Sequence, residues 1–494
     1  MHVSFPQADG MIVGDHTKIE RTSTISPPIA ASVLSFDSLP VEIASLVFEE
    51  YIHCDSSPVN PHPHLTLGKI CRRWRQIAWS TPRLWSQLFI YHQHASSQMD
   101  FELAKEWLER SGSLPLIIEF SSFCRNNSCT CTWDSTVPRC KRMLEVLIQY
   151  SDRWLSLTLI LPSPSLEGLV LSRPASMLHH LSLDATWYSR SGGFENPNYS
   201  RTSLFSSCSP RAVKMSCIDV DLDWTSVVDL TLDSVDIKDV LAVFRPASNL
   251  FECTLTDVCH YDSNISNVRE EALIICPLLE VLSISFGDEH TSGIFCSAVA
   301  LPALKQLSYR GYDTSTSAMD NLISFLMQSS CALKSLTLEE SDYAQSDTDL
   351  INLAPFLPSL TDLHIYNGAY YGSYLGPTFY HFLADPSRIA VPLLCLETFS
   401  WEGFNPYPWE TLPGLLEPIV NNDDQGSYRR PLKSVKITCL MDEVAYIPKE
   451  VLQRLVTYSD VKFELIVIPD GNKDLEMDLW KVSMERPDSD SEED

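Results

Sequence analysis

The sequence predicts an α/β protein in which a small helical module precedes a long array of strand-and-helix units. Three observations carry that expectation. At 494 residues the chain is too long for one ordinary compact core. A short apolar motif recurs between Trp154 and Ile437 at intervals that suit one supersecondary unit each. Ahead of it, two apolar runs at helical spacing stand between Ser38 and Trp79.

The first of those runs is SLPVEIASLVFEEYIHCDSSP, Ser38 to Pro58. Leu39, Ile43, Leu46, Val47 and Tyr51 recur at helical spacing, and Pro40 sits where a first turn tolerates proline because its missing N–H had no partner. One short helix cannot hide that much apolar surface within itself. The second run, LTLGKICRRWRQIAW, puts Leu67, Ile70, Cys71, Trp74, Ile77 and Ala78 on one helical face. TPRLWSQLFI then begins a third short element at Pro82. A three-helix unit of roughly 55 residues is marginal by itself, and Leu39, Pro40 and Trp85 fall at element ends where they are left uncovered. Such a patch calls for a partner.

Beyond this module the pattern LxxLxL returns, with substitutions, as WLSLTL, LHHLSL, VVDLTL, LFECTL, LEVLSI, LKQLSY, LKSLTL, LTDLHI, LETFSW and LKSVKI. The middle residues are Leu157, Leu181, Leu230, Cys253, Leu282, Leu307, Leu336, Leu363, Phe399 and Val435, in steps of 24, 49, 23, 29, 25, 29, 27, 36 and 36. The long step hides a degenerate copy, AVKMSC, centred on Met215. Helix-like runs lie between the strands: DIKDVLAVF, REEALIIC, MDNLISFLMQ and IPKEVLQRLV. Strand, helix, strand at this period reads as an α/β leucine-rich-repeat solenoid, a horseshoe in which strands form one face and helices the other. A single unit buries too little apolar surface to offset the entropy of ordering its backbone, so the units fold only by stacking. Independent βαβ units of a doubly wound enzyme would want a glycine-rich phosphate loop, and neither GxGxxG nor GxxxxGK[ST] occurs.

Side-chain alternation then names an outward row: Thr158, Ser182, Ser216, Thr231, Thr254, Ser283, Ser308, Thr337, His364, Ser400 and Lys436. Two residues further on come Ile160, Asp184, Ile218, Asp233, Thr256, Ser285, Arg310, Glu339, Tyr366, Glu402 and Thr438. Small hydroxyl residues suit any half-exposed strand, so the first row fits a binding face and a plain one equally. Chemical diversity appears towards the C-terminal half, and Arg310, Glu339, His364, Tyr366, Glu402 and Lys436 are the expected target-binding residues, with Arg310 beside Tyr366 on neighbouring strands.

Composition narrows the partners. The formal net charge of −28 disfavours nucleic acid and anionic membrane surfaces, leaving proteins. Fifteen scattered cysteines, several within apolar strand patterns, read as reduced thiols of a cytoplasmic or nuclear protein. The first residues lack a basic start followed by an apolar core, and no long apolar run occurs, so neither a signal peptide nor a membrane span is expected.

The helical module carries a resemblance. LPVEIASLVF matches the F-box opening LPxEI(L)xxIF, with Ala44 at the position usually leucine, and LGKICRRWRQIAWSTPRLWSQL is similar to its second half, vCrxWrxiaxxtpxLW. The whole chain resembles F-box proteins with C-terminal leucine-rich repeats, including a fungal F-box-like branch. The resemblance implies a substrate receptor of an SCF-type cullin-RING ubiquitin ligase. Its F-box docks on a Skp-type adaptor, and through it a cullin, while its repeats hold an unknown target protein. It also implies that Leu39, Pro40, Ile43, Val47, Cys71, Trp74 and Trp85 lie at the adaptor interface or directly beneath it. Ile43, Val47, Cys71 and Trp74 fit an internal core as well. The other reading is a repeat scaffold for protein–protein interaction that does not act through a ubiquitin ligase.

Other chemistries find little support. HExxH and GxSxG are absent and GSYLG at Gly372 has the wrong spacing for a nucleophile elbow, so no enzyme and no cofactor are expected. Cys124, Cys129, Cys131 and Cys140 could make a four-thiolate zinc site, but their spacing departs from structural zinc patterns and no metal is expected. Arg72, Arg73 and Arg75 on the second helix suggest a helix-turn-helix reader, which the net charge opposes. The expected organisation is a disordered segment over 1–34, an F-box over 35–92, repeats over 93–480 and an acidic disordered tail over 481–494.

Overall fold

A computed structural model of the chain describes residues 36–54, 63–91, 99–122, 133–185, 202–216, 219–260, 272–311, 317–340, 347–367, 377–385, 392–404, 406–420, 427–440, 446–469 and 472–485. The chain divides into two compact units, one ending at Ala78 and the other beginning at Trp79. Among the described residues, no helix is long and apolar enough to cross a membrane.

In the first unit a 3₁₀ turn at Phe36–Ser38 leads into α1 (Val41–Cys54) and α2 (Pro63–Ile70), and α3 (Arg72–Ser80) follows at once. The run read as one helix is therefore two. The break falls at Cys71, whose carbonyl accepts the Arg75 N–H at 3.0 Å and whose Sγ accepts the Trp74 N–H at 3.4 Å, so Cys71 opens α3 rather than continuing α2. Arg75 Nε caps the end of α2 at the Gly68 carbonyl, 2.8 Å away. Because the helical phase restarts here, Ile70 points to solvent and not into the face expected for it.

The second unit is built on a sheet whose strands are β1 (Gln87–Tyr91), β2 (Leu116–Ser121), β3 (Trp154–Ile160), β4 (His180–Asp184), β5 (Ala212–Ser216), β6 (Asp229–Asp233) and β7 (Glu252–Val258). A short β8 (Ile274–Ile275) comes next, then β9 (Val281–Phe286), a short β10 (Val299–Ala300), β11 (Gln306–Gly311), β12 (Ser335–Glu340), β13 (Asp362–Asn367) and β14 (Thr398–Gly403). The short β15 (Ile419–Val420) and β16 (Ser427–Tyr428) precede β17 (Ser434–Cys439), β18 (Lys462–Val467) and β19 (Met477–Asp478). Fifteen of these form one sheet in chain order; β8 pairs with β10 and β15 with β16 apart from it. Neighbours are parallel throughout the large sheet until β19, which is antiparallel to β18. Parallel neighbours need a crossover each, and several crossovers are helices: α4 (Met99–Arg110), α5 (Trp133–Ile148), α6 (Ile237–Phe244), α7 (Glu289–Ala298), α8 (Ser317–Ser329), α9 (Asp347–Leu353), α10 (Pro377–Ala384), α11 (Leu412–Leu416) and α12 (Lys449–Leu455). Helix α4 packs on α5, from α6 onward each packs on the next, and a last helix, α13 (Leu479–Glu485), packs on α12. At the α10–α11 contact Gly414 has no room for a side chain, since a Cβ there would meet the Ala384 carbonyl oxygen at 2.8 Å.

The motif centres stand side by side in register, Leu157 with Leu181, Leu230 with Cys253, Leu336 with Leu363 and Phe399 with Val435. They are buried, and side chains of the same buried face meet the helices: Phe286 of β9 packs on Phe295 of α7, and Trp401 of β14 reaches Tyr380 of α10 through Tyr407. The degenerate copy is centred two residues earlier than expected. Val213, not Met215, pairs with Leu181 and Leu230, so Lys214 occupies the first outward row and Ser216 the second, between Asp184 and Asp233. Ile218 lies outside the described residues. In the run REEALIIC, Ile274 and Ile275 are strand rather than helix, and Arg269 to Glu271 lie outside the described residues.

The sheet also overruns the expected limits. Its first strand falls within 35–92, and α13 carries ordered backbone to Glu485, past the expected start of the tail at 481. The reason is burial: Leu479 is fully buried, Trp480 packs on Phe463, and Ser483 Oγ accepts the Ile447 N–H at 3.0 Å. Residues 1–34 lie outside the described set.

Candidate functional site

Helix α1 presents an uncovered apolar face. Its inward side is Ala44 and Phe48, four residues apart, exposed by 0% and 1%. Ile43, Leu46 and Val47 are 45%, 55% and 45% exposed, with Val41 and Tyr51 beside them. Pro40 starts the helix, its carbonyl accepting the Ala44 N–H at 3.0 Å, and Glu42 in the first turn complements the positive end of the helix dipole. Leu39 is half-buried and Pro40 exposed at the edge of that face.

What holds the face in place is an aromatic triad beneath it. Phe36 stacks on Phe48 with ring centroids 5.6 Å apart and leans on Trp74 at 4.5 Å, while Phe48 and Trp74 are 5.0 Å apart. Trp74 is thus a half-buried support, as is Cys71 at the α2–α3 break. Two of the three basic residues are spent locally. Arg73 Nη2 donates to the Leu39 carbonyl at 2.6 Å and Arg75 to the end of α2. Sequence reasoning missed both of these bonds, because a carbonyl acceptor leaves no mark in the residue pattern.

Trp85 is not left uncovered. It is 2% exposed in the second unit, edge-on to Trp79 and Trp107 at 5.2 Å each, with the Arg110 guanidinium 5.0 Å from its ring centroid. A tryptophan at the end of a one-turn element is too large for a chain to leave in water when two more indoles stand within reach.

On the sheet, the outward residues named in the sequence fall into paired rows. Arg310, Glu339, Tyr366 and Glu402 follow one another across β11 to β14, so Glu339 stands between Arg310 and Tyr366 and those two are not on neighbouring strands. Arg310 forms an ion pair with Glu339. His364 lies between Thr337 and Ser400 in the adjacent row, followed by Lys436 and Glu464. At the other end the same face is acidic. Burial pushes the Asp233 carboxyl up, and the Asp257 and Asp184 charges push it further. Ser234 Oγ stands 3.4 Å from both the Asp233 and Asp257 carboxylates.

Arg430 and Arg153, in the second unit, also bind carbonyls. Arg430, 2% exposed, donates to the carbonyls of Leu383, Pro392 and Leu415, which gathers the C-terminal ends of α10 and α11 around its charge. Arg153 bonds the Leu108 and Leu114 carbonyls and Ser111 Oγ. Of the four cysteines weighed as a zinc site, Cys124, Cys129 and Cys131 lie outside the described residues, and Cys140 is buried in a helix at Trp133–Ile148 with its thiol pushed up by burial. Among the described residues no group of His, Cys, Asp and Glu is placed to hold a metal ion.

The F-box-like family model matches residues 36–91. This segment contains α1, its aromatic support and the α2–α3 pair. The match supports an F-box protein, and F-box domains typically bind Skp-type adaptors of SCF ligases. A search of curated proteins finds no match for the chain.

Proposed function

We propose that the chain is a substrate receptor of an SCF-type ubiquitin ligase, docking on a Skp-type adaptor, and through it a cullin, with a target protein held on the sheet unit. The observation that carries this reading is the uncovered apolar face of α1, with Leu39 and Pro40 at its edge, inside the F-box-like match. A monomer gains nothing by leaving Ile43, Leu46 and Val47 in water, whereas a partner that covers them recovers their burial.

The second half of the reading is that the sheet unit is a leucine-rich-repeat solenoid of the kind found in fungal F-box proteins. Strands in chain order, motif centres in register and a row of successive helices support it. Its outward face, with His364, Tyr366, Glu402, Lys436 and the Arg310–Glu339 pair, is where the target binds. In this reading the chain is not an enzyme; ubiquitin transfer belongs to other subunits, and the receptor raises the target's effective concentration near them. The cytoplasm or nucleus is its place of action.

Replacing Leu39 and Pro40 together by Ala tests the docking. Capture of a purified Skp-type adaptor should be lost while the far-UV spectrum of the full chain stays nearly unchanged. Retained capture overturns the assignment, and a wild-type chain that captures no adaptor would instead fit a repeat scaffold outside any ligase.

A further inference from the structure

The segment from Phe36 to Pro40 carries two of the docking residues, yet only three residues of it form a turn. Four of its contacts bear on Leu39. The Leu39 N–H donates to the Phe36 carbonyl at 3.2 Å, and the Phe36 ring is held by Phe48 and Trp74. The fourth is Arg73 Nη2 on the Leu39 carbonyl, 2.6 Å long and partly buried. The helical ladder begins one residue later, with Ala44 N–H on the Pro40 carbonyl. Leu39 is therefore held on both sides of its Cα, through its own N–H in the preceding peptide and through its carbonyl, by a charged donor, in the following one. Arg73 and Trp74 are adjacent on α3, so one element grips both ends of the segment: the indole takes the Phe36 ring, the guanidinium the Leu39 carbonyl.

A charge-assisted bond of this kind is stronger than a neutral one and, where partly sheltered from water, resists exchange with solvent. We propose that Arg73 is a positioning residue for adaptor docking, which sets Leu39 and Pro40 against the exposed row Ile43, Leu46 and Val47 without itself belonging to that row. This rests on the docking reading above. One donor reaches one acceptor, so a lysine ammonium can take over the bond, whereas methionine keeps the apolar stem and offers no donor.

The test is a titration of a purified Skp-type adaptor against the full chain, reading Kd and the binding-competent fraction separately. Arg73→Met should raise Kd about tenfold, equivalent to about 1.4 kcal/mol, with the competent fraction and the thermal unfolding midpoint near wild type. Arg73→Lys should restore Kd to within about threefold of wild type. An unchanged Kd in Arg73→Met overturns the proposal. So does a loss confined to the competent fraction, which marks a purely structural role, or an Arg73→Lys variant as weak as Arg73→Met. Leu46→Glu is the control for the underlying reading: if it binds as wild type does, or if wild type does not bind, docking through α1 is wrong and the role of Arg73 falls with it.

Discussion

Helix α1 and the strands of the sheet both carry apolar residues at the period of their element, and the two sets end in opposite environments. Ile43, Leu46 and Val47 are about half exposed, whereas Leu230, Leu336 and Val435 are fully buried. The difference lies in what each element has beside it. Strands β6, β12 and β17, which carry those leucines and the valine, each have a parallel neighbour on both sides, and their apolar row is covered by its own chain. Helix α1 has one side, through Phe48, on Phe36 and Trp74, and among the described residues Ile43, Leu46 and Val47 on its other side stay exposed. Periodicity therefore marks an apolar face in both, and only the supply of neighbours distinguishes a buried core from an exposed face.

Removing a large side chain from each region should break the symmetry of the two patterns. Trp401→Ala, in the sheet, should cost about 3–5 kcal/mol of stability in denaturant unfolding, because an indole that is 2% exposed leaves a cavity. A cost below 1 kcal/mol would mean that the sheet core is not continuous at β14.

A polar group inside the same unit sharpens the contrast with the polar groups under α1. Arg430→Met strips three carbonyls of their donor and should lower stability by about 2–3 kcal/mol, read from the urea midpoint. Leu46→Ala should do the reverse of Trp401→Ala. Unfolding should shift by no more than about 0.5 kcal/mol, while adaptor affinity falls by about 1–2 kcal/mol, measured by titration.

The smallest expected effect concerns pH. Asp233 has its folded-state pKa raised by burial first and by Asp257 and Asp184 after that, so its contribution favours the fold only where it is protonated and is lost as pH rises through the raised value. At neutral pH the ionised carboxylate is a liability. Asp233→Asn should therefore stabilise the protein at pH 7 by less than about 1 kcal/mol once solvent screening is allowed for, and the gain should vanish below the ordinary carboxylate range. Urea unfolding of both proteins at pH 7 and at about pH 2.5, below the ordinary carboxylate range, checks the sign.

Much of the sheet was legible because its cause is local. Leu157, Leu181, Leu230 and the later centres recur at one position of a repeated unit, and parallel pairing puts equal positions side by side. The degenerate copy was misplaced by two residues because Val213 and Met215 are both apolar and both buried, so alternation alone fits either centre. Strands β1 and β2 lack the motif and are fixed by their pairing with each other and with β3. Within the helical module, Ile43 and Val47 were legible as apolar and helical but equally fit for a core.

The sequence by itself determined the two kinds of element, the repeat that orders the strands and the F-box-like pattern, since each depends on which residue types recur at which spacing. Tertiary structure alone decided that Trp85 is buried between two indoles and that Arg73 holds the Leu39 carbonyl. Those outcomes depend on which groups meet across long stretches of chain, and on carbonyl acceptors that every residue shares, so no local pattern encodes them.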